Sequence, residues 1–151
     1  MKIFLVGFMG SGKSSLGKKL AAKMDWPFFD LDEEIENKLD QSVPDIFEKH
    51  GEAFFRQKEM EMLSQTIKSA GDFVMACGGG TPCFHGNMAQ MNSVGSTVFL
   101  YVDQEILFGR LRKKKAERPL ISGLEDAQLR DFIAGKLAER ESYYLQAKHV
   151  L

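Results

Sequence analysis

The stretch that decides the fold is Gly7-Phe8-Met9-Gly10-Ser11-Gly12-Lys13-Ser14-Ser15, which matches the pattern G-x-x-x-x-G-K-[ST]. It directly follows the apolar run Ile3–Val6, which predicts a buried strand leading into the loop. In such a loop, successive backbone N–H groups and the N-terminus of the next helix point at phosphate oxygens. The sequence therefore predicts a nucleotide-binding loop.

Side chains of the same loop have predicted roles. Lys13 is expected to reach the β- and γ-phosphates, and the hydroxyl of Ser14 is a candidate Mg²⁺ ligand. A glycine-rich turn without a chemical task is the alternative. The preceding strand, the complete pattern and the helical residues that follow it all favour the nucleotide site.

Length and charge narrow the class of protein. A chain of 151 residues, 44% of them hydrophobic, is expected to form one domain over residues 1–151 with a sizeable core. The formal net charge of −1 provides no overall attraction to nucleic acid or to an anionic membrane. The sequence therefore predicts a small-molecule substrate.

The two cysteines, Cys77 and Cys83, lack the spacing of a zinc site and are too few for a disulfide scaffold. A reducing cytosol is therefore the expected compartment. No apolar stretch reaches the roughly 18 residues that a membrane span needs, and Met1-Lys2 leads straight into a core strand without a signal peptide.

Strand and helix patterns alternate along the chain. Apolar runs at 3–6, 73–76 and 98–102 predict buried strands, and 27–29 predicts a shorter one. Helical spacing of apolar residues lies between them, as at Leu16, Leu20 and Met24. This alternation predicts an α/β fold with a parallel sheet covered by helices, and a ligand site at the carboxyl ends of the strands.

Two regions interrupt the alternation. Residues 33–69 read as an inserted helical subdomain, with Ser42 a candidate N-cap and Pro44 in a first helical turn. Residues 112–124 are strongly charged and then broken by proline and glycine, which predicts a mobile flap. At the far end, residues 147–151 predict the start of another strand.

Two acids follow the second predicted strand. Alternation along an extended strand would place Asp30 and Asp32 on one side, facing the phosphate loop. One could hold Mg²⁺, and the other could accept a proton from the hydroxyl that is phosphorylated. Helix capping is the alternative role for them.

Arg56 and Glu59 are three residues apart on a predicted helix. They could form a surface ion pair, or Glu59 could orient the guanidinium of Arg56 toward an anionic substrate.

The run Gly78-Gly79-Gly80 lies at a strand end, where the backbone can approach a ligand closely or simply turn. Arg118, in the flap, could neutralise charge on the transferring phosphoryl group. Arg140 lies on a late amphipathic helix, and the sequence alone favours an arginine on the helix surface.

Together these motifs resemble shikimate kinases, a branch of the nucleoside-monophosphate-kinase-like P-loop proteins. The resemblance runs nearly end to end. It rests on the phosphate loop, Phe29-Asp30-Leu31-Asp32, the segment Ile46-Phe47-Glu48-Lys49-His50-Gly51-Glu52 leading to Phe55-Arg56, the glycine run, and Arg118-Pro119-Leu120.

The resemblance implies a three-layer α/β/α fold and transfer of the ATP γ-phosphoryl group to the 3-hydroxyl of shikimate, in aromatic amino acid biosynthesis. It implies that Asp32 is the base and that Asp30 and Ser14 serve Mg²⁺. The residues implied to bind shikimate are Asp32, Arg56, Gly78, Gly79, Gly80 and Arg140. The residues implied to bind ATP are Gly10, Ser11, Gly12, Lys13, Ser14, Ser15, Arg118 and, near adenine, Arg110.

The resemblance also implies a cytoplasmic monomer in which the inserted helices bind shikimate and the flap closes as a lid. Cys77 stands where the family often has threonine, and we expect this difference to be harmless. Family members usually continue past the position of Leu151, through a final strand and a terminal helix. Two alternatives remain open at this point: a related kinase, such as a gluconate kinase, and a non-catalytic nucleotide-binding switch.

Overall fold

A computed structural model describes residues 1–115, 118 and 120–151. Within them the strands are β1 (Lys2–Val6), β2 (Phe28–Asp30), β3 (Phe73–Ala76), β4 (Ser96–Phe99) and β5 (His149–Val150). The helices are α1 (Lys13–Met24), α2 (Leu31–Leu39), α3 (Val43–His50), α4 (Glu52–Ser69), α5 (Asn87–Val94), α6 (Gln104–Lys113) and α7 (Asp126–Tyr144). A 3-10 turn lies at Thr81–Cys83.

The strands form one parallel sheet in the order β2-β3-β1-β4-β5, as the alternating pattern predicts. In its register, Phe4 lies between Met75 and Thr97. The predicted strand at 98–102 is wrong in its second half, because β4 ends at Phe99. The chain then turns toward Asp103, the N-cap of α6, after two further hydrogen bonds. The Leu100 N–H donates to the Val6 carbonyl at 2.9 Å, and the Tyr101 N–H donates to the Leu151 carbonyl at 3.1 Å.

The two faces of the sheet bury different side chains. Leu5 and Val74 pack with Ala21 of α1 on one face. The other face buries larger side chains, namely Phe4, Val6, Phe73, Met75 and Phe99, with residues of α4, α5 and α7. These faces form the three layers of an α/β/α arrangement. Since every strand is parallel, all carboxyl ends meet at one edge, where the loops of the candidate site lie.

The region 33–69 is helical without a strand, as predicted, and it consists of α2, α3 and α4. Ser42 caps α3 through its hydroxyl, which accepts a hydrogen bond from the Asp45 N–H at 3.2 Å. Pro44 occupies the first turn of this helix, where its missing N–H costs nothing. Ile46 of α3 and Leu63 of α4 are fully buried against the main core. The helical region is therefore packed onto the sheet layers.

The charged segment after α6 is described only in part, because Ala116, Glu117 and Pro119 lie outside the described residues. The predicted flap at 112–124 therefore falls partly outside them. Of its described part, Ile121 is fully buried against α7 beside Leu129, and the Lys115 ammonium donates to the Leu124 carbonyl at 2.7 Å. Among the helices described, none combines the length and apolar character needed to cross a membrane.

Candidate active site

The phosphate loop joins β1 to α1 at the carboxyl edge of the sheet. Gly12 has φ of 95°, a left-handed conformation that glycine adopts without the cost of a Cβ, and it directly precedes α1. The ammonium of Lys13 folds over its own loop and donates to the carbonyls of Gly7 at 2.7 Å and Phe8 at 3.0 Å. Burial lowers the pKa of Lys13 to about 8, and the neighbouring carboxylate of Asp32 partly opposes this shift.

Asp30 has the capping role considered for it and also contacts Ser14. It is the last residue of β2 and caps α2, where its side chain accepts from the Glu33 N–H at 3.2 Å. Its other oxygen accepts a hydrogen bond from the Ser14 hydroxyl at 2.8 Å. The capping role is therefore present, and the two predicted metal ligands are in direct contact.

Asp32 lies at the site for a different structural reason from the one predicted. Strand alternation is the wrong explanation, since the strand ends at Asp30 and Asp32 lies in the first turn of α2. Burial, followed by the charges of Glu59 and Asp30, raises the pKa of Asp32 to about 6. Its Oδ1 atom is buried and has no hydrogen-bond partner among the described residues. A buried acceptor without a donor indicates a place for a ligand group.

A cleft of about 590 Å³ connects these groups. Its lining includes the predicted nucleotide and metal residues Gly10, Gly12, Lys13, Ser14, Ser15, Asp30, Arg110 and Arg118, together with Asp32, Gly78 and Gly79. Lys114 also lines it. Arg110 is anchored to the phosphate loop, because its guanidinium donates to the Gly10 carbonyl at 2.9 Å.

Ser11 lies behind the loop and lines a separate cavity of about 310 Å³, between the end of β4 and α7. Its hydroxyl is buried without a partner among the described residues. Its side chain therefore lies away from the main cleft. Its backbone N–H, the predicted phosphate contact, donates to the Phe8 carbonyl at 3.1 Å.

Arg56 and Glu59 form a buried pair, so the surface ion-pair alternative is wrong. The exposed fraction of Arg56 is 7% and that of Glu59 is 0%, and Nη1 of the arginine donates to Oε1 of the glutamate at 3.0 Å. Nη2 makes a longer contact of 3.3 Å with Glu52, whose side chain is exposed. Burying a charged pair is costly unless each charge is well paired, which favours a functional role for this arginine.

Two of the three glycines contact the arginines directly. A Cβ built on Gly80 would lie 2.5 Å from Nη2 of Arg56, and one built on Gly79 would lie 3.1 Å from Nη1 of Arg140. Tyr144 fixes the same loop through a hydrogen bond from its hydroxyl to the Gly79 carbonyl at 2.5 Å. The glycine run therefore lets backbone and guanidinium groups approach closely, which a simple turn does not require.

An apolar groove of about 400 Å³ continues from the cleft toward the inserted helices. Val43, Pro44 and Phe47 of α3 line it opposite Asp32 and Gly79. The groove and the cleft share Met9, Asp32, Gly79 and Arg118, so the phosphate loop, a carboxylate with a raised pKa and an apolar wall lie next to one another. This is the arrangement that phosphoryl transfer to a small hydroxylated molecule needs.

Comparison with known proteins identifies the class of enzyme. A family model described as shikimate kinase matches residues 9–151. The chain belongs to the shikimate kinase family. It is 46% identical to the shikimate kinase of Bacteroides fragilis over 99% of this chain and 83% of that protein.

Solved shikimate kinases also share its fold. The crystal structure of the enzyme from Bacteroides thetaiotaomicron superposes with a TM-score of 0.95 and 44% identity, covering 100% of this chain and 85% of that one. The enzyme from Acinetobacter baumannii, in complex with shikimate, gives a TM-score of 0.89 and 33% identity over 99% and 82% of the two chains. The predicted P-loop kinase fold is confirmed.

In this member of the shikimate kinase family, the oxygen atoms present suit a Mg²⁺ ion that is shared with phosphates. They do not suit a metal ion held entirely by protein side chains. Among the described residues, no group of three or more histidine, cysteine or acidic side chains could hold a metal ion. Mg²⁺ is usually held by one or two protein oxygens, with phosphates and water completing its coordination. The contact between Ser14 and Asp30 provides such a pair beside the phosphate loop.

Sequence reasoning missed several residues that shape the site of this shikimate kinase family member. Phe84 lies against Arg56, whose guanidinium carbon is 4.3 Å from the ring centroid. The Thr81 hydroxyl donates to Glu59 at 2.7 Å. Neither residue belongs to a motif, and their proximity to the glycine run was the only signal in the sequence.

Proposed function

We propose that this chain transfers the γ-phosphoryl group of ATP to the 3-hydroxyl of shikimate, giving 3-phosphoshikimate and ADP. The observation that carries this proposal is the position of Asp32, which lies in one cleft with Lys13 of the phosphate loop and beside the glycine run that Arg56 contacts. This supports a nucleotide on one side of Asp32 and an acceptor whose own carboxylate lies near Arg56.

The nucleotide is bound by backbone N–H groups of Gly10, Gly12 and Ser15 at the start of α1. The N–H of Ser11 joins them once it leaves the Phe8 carbonyl. Lys13 leaves the carbonyls of its own loop and pairs with the β- and γ-phosphates. Arg118 and Arg110 both line the cleft. We assign Arg118 to the charge of the transferring group and Arg110 to the adenine.

Shikimate carries one carboxylate and three hydroxyl groups. Arg56 and Arg140 hold the carboxylate, because a guanidinium presents paired donors to its two oxygens. The backbone of Gly78, Gly79 and Gly80 contacts the bound molecule. The apolar wall of α3 covers its ring.

Asp32 accepts the proton of the attacking hydroxyl. With a pKa of about 6, it is mostly ionised at neutral pH and yet basic enough to take a proton as the oxygen–phosphorus bond forms. The oxygen attacks the γ-phosphorus, the bond to the β-phosphate oxygen breaks, and ADP leaves. Asp32 then carries the proton that the 3-hydroxyl of shikimate has lost.

Ser14 and Asp30 are the residues that would hold Mg²⁺ with the phosphates. The ion supplies positive charge against the β- and γ-phosphate oxygens when bound. Lys13 and Arg118 add positive charge from the protein to that of the ion.

We extend the proposal to the other parts of the chain. Residues 33–69 serve as the shikimate-binding part of one domain spanning 1–151, and residues 112–124 close over the cleft and exclude water. We further propose that the protein acts as a cytoplasmic monomer, without nucleic-acid or membrane partners.

The test is ADP release from Mg-ATP, measured in a coupled assay with shikimate, with gluconate and without an acceptor. We expect strong stimulation by shikimate alone. Stimulation by gluconate alone would identify a different small-molecule kinase. ATP binding without stimulation by either acceptor would favour a nucleotide-dependent switch and contradict the proposal.

A further inference from the structure

We propose that Thr81 is a positioning residue for the shikimate carboxylate, acting through Glu59 on the guanidinium of Arg56. The inference rests on the proposed function, since it concerns the same substrate pocket. Thr81 directly follows the three glycines and opens the 3-10 turn, and its side chain is fully buried.

A chain of hydrogen bonds connects the three residues. Oγ1 of Thr81 donates to Oε2 of Glu59 at 2.7 Å, and Nη1 of Arg56 donates to Oε1 of Glu59 at 3.0 Å. Among the residues that the structure describes, each oxygen of the carboxylate therefore has one donor. Glu59 is at 0% exposure, so neither oxygen can exchange its donor for bulk water without a change in the fold.

Thr81 is itself fixed by the fold. Its N–H donates to the Gly78 carbonyl at 3.1 Å, and its own carbonyl accepts from the side-chain amide of Asn87 at 3.0 Å. Asn87 is also fully buried, at the start of α5. The hydroxyl is therefore held at one place relative to α4, which carries both Arg56 and Glu59.

This arrangement leaves part of the guanidinium available. As long as Thr81 occupies Oε2, Glu59 makes a single contact with Arg56, and Nη2 has the longer contact with exposed Glu52. Without the hydroxyl, Oε2 can regain a donor by turning toward Arg56 as well. A two-point pair within α4 would then use donors that the shikimate carboxylate needs.

The test compares the Michaelis constants of Thr81→Val with those of the wild type. Valine keeps the shape of threonine and removes the hydroxyl. We expect KM for shikimate to rise about 5- to 20-fold, while kcat changes by less than about twofold and KM for ATP stays constant, because the loss affects binding of one substrate. Thr81→Ser restores the hydroxyl and should return KM for shikimate to within about twofold of wild type.

Thr66→Val is the matched control. Thr66 lies on α4, the helix that carries Arg56 and Glu59. It is 8% exposed, and its hydroxyl donates to the Met62 carbonyl at 2.9 Å, away from Glu59. Its loss should lower thermal stability without changing KM for shikimate. If Thr81→Val does not give folded protein, Thr81→Ala and Thr81→Ser, which differ only in the hydroxyl, decide the question in the same way.

An unchanged KM for shikimate in a folded Thr81→Val protein, or an equal rise in Thr66→Val, would overturn the role of Thr81. Failure of the serine variant to differ from the alanine variant would also overturn it. Absence of shikimate turnover in the wild type is a different result, because it would overturn the proposed function itself.

Discussion

The hydroxyl of Ser14 donates a hydrogen bond to Oδ2 of Asp30 at 2.8 Å, which connects the first residues of α1 to the end of β2. Asp30 uses its other oxygen to cap α2. One carboxylate thus holds a helix in place and offers an oxygen beside the phosphate loop. The two tasks can be separated by substitution.

Asp30→Asn should remove a negative charge beside the phosphate loop and keep the N-cap of α2. The amide oxygen can still accept from the Glu33 N–H, so we expect a stability change below about 1 kcal/mol. The Mg²⁺ concentration needed for half-maximal activity should rise about tenfold, because a neutral ligand replaces a carboxylate. Asp30→Ala should add a loss of about 1 kcal/mol from the missing cap. An unchanged Mg²⁺ requirement in the asparagine variant would remove Asp30 from the metal site.

Asp32→Asn should separate stability from activity. Its pKa rises from 3.8 to about 6 on folding, so the folded state binds the proton more tightly than the unfolded state. The wild type therefore loses stability as pH rises from about 4 to about 6, whereas the asparagine variant lacks this loss. At pH 8 the variant should be more stable by about 1 to 3 kcal/mol and should lose most of its turnover.

Thermal unfolding of both proteins from pH 4 to pH 8 checks the stability part of this prediction. The difference in Tm should grow up to about pH 6 and then remain constant. A difference that does not depend on pH would show that the carboxyl of Asp32 has no raised pKa, and near-normal turnover would exclude it as the base.

Arg140→Ala should raise KM for shikimate by about 10- to 100-fold, because a charge-assisted hydrogen bond contributes roughly 1.5 to 3 kcal/mol. KM for ATP should change little. Lys136→Ala is the control, since Lys136 is a half-buried cation one turn earlier on α7 whose ammonium pairs with Glu139 at 3.4 Å. Equal effects of the two substitutions would indicate a general charge effect and contradict the proposed contact.

Gly80→Ala tests close approach without backbone strain. Gly80 has φ of −96° and ψ of −7°, which alanine adopts readily, yet the new methyl group would lie 2.5 Å from Arg56. The guanidinium must move, so we expect KM for shikimate to rise at least about tenfold. Gly135→Ala, in open space on α7, should leave KM unchanged and stabilise the helix by up to about 1 kcal/mol. Wild-type KM in Gly80→Ala would contradict the proposed role of Arg56 in binding shikimate.

The sequence predicted the parts of this molecule that depend on local pattern. The phosphate loop, the parallel strands and the helical region 33–69 follow from residues close together in the chain. The position of Asp32 was predicted for the wrong reason, because the point at which β2 gives way to α2 depends on the cap formed by Asp30. Sequence also left open whether Arg56 is buried, since this depends on Gly80 and Phe84, more than twenty residues away.

The partners of Glu59 illustrate the same limit. Spacing along α4 suggested Arg56, but the second partner, Thr81, lies 22 positions away and is brought near by packing of the turn against the helix. Such contacts depend on tertiary structure and leave no periodic signal. The sequence therefore predicted the chemistry of the cleft better than the residues that support it.

The transfer to shikimate can be followed directly by phosphorus and proton NMR on a mixture of the chain, Mg-ATP and shikimate. We expect one new phosphomonoester signal that grows in equal amount with ADP, with phosphorus coupling to the proton on carbon 3 of shikimate. ADP accompanied only by inorganic phosphate, a phosphate on another hydroxyl, or no reaction would contradict it.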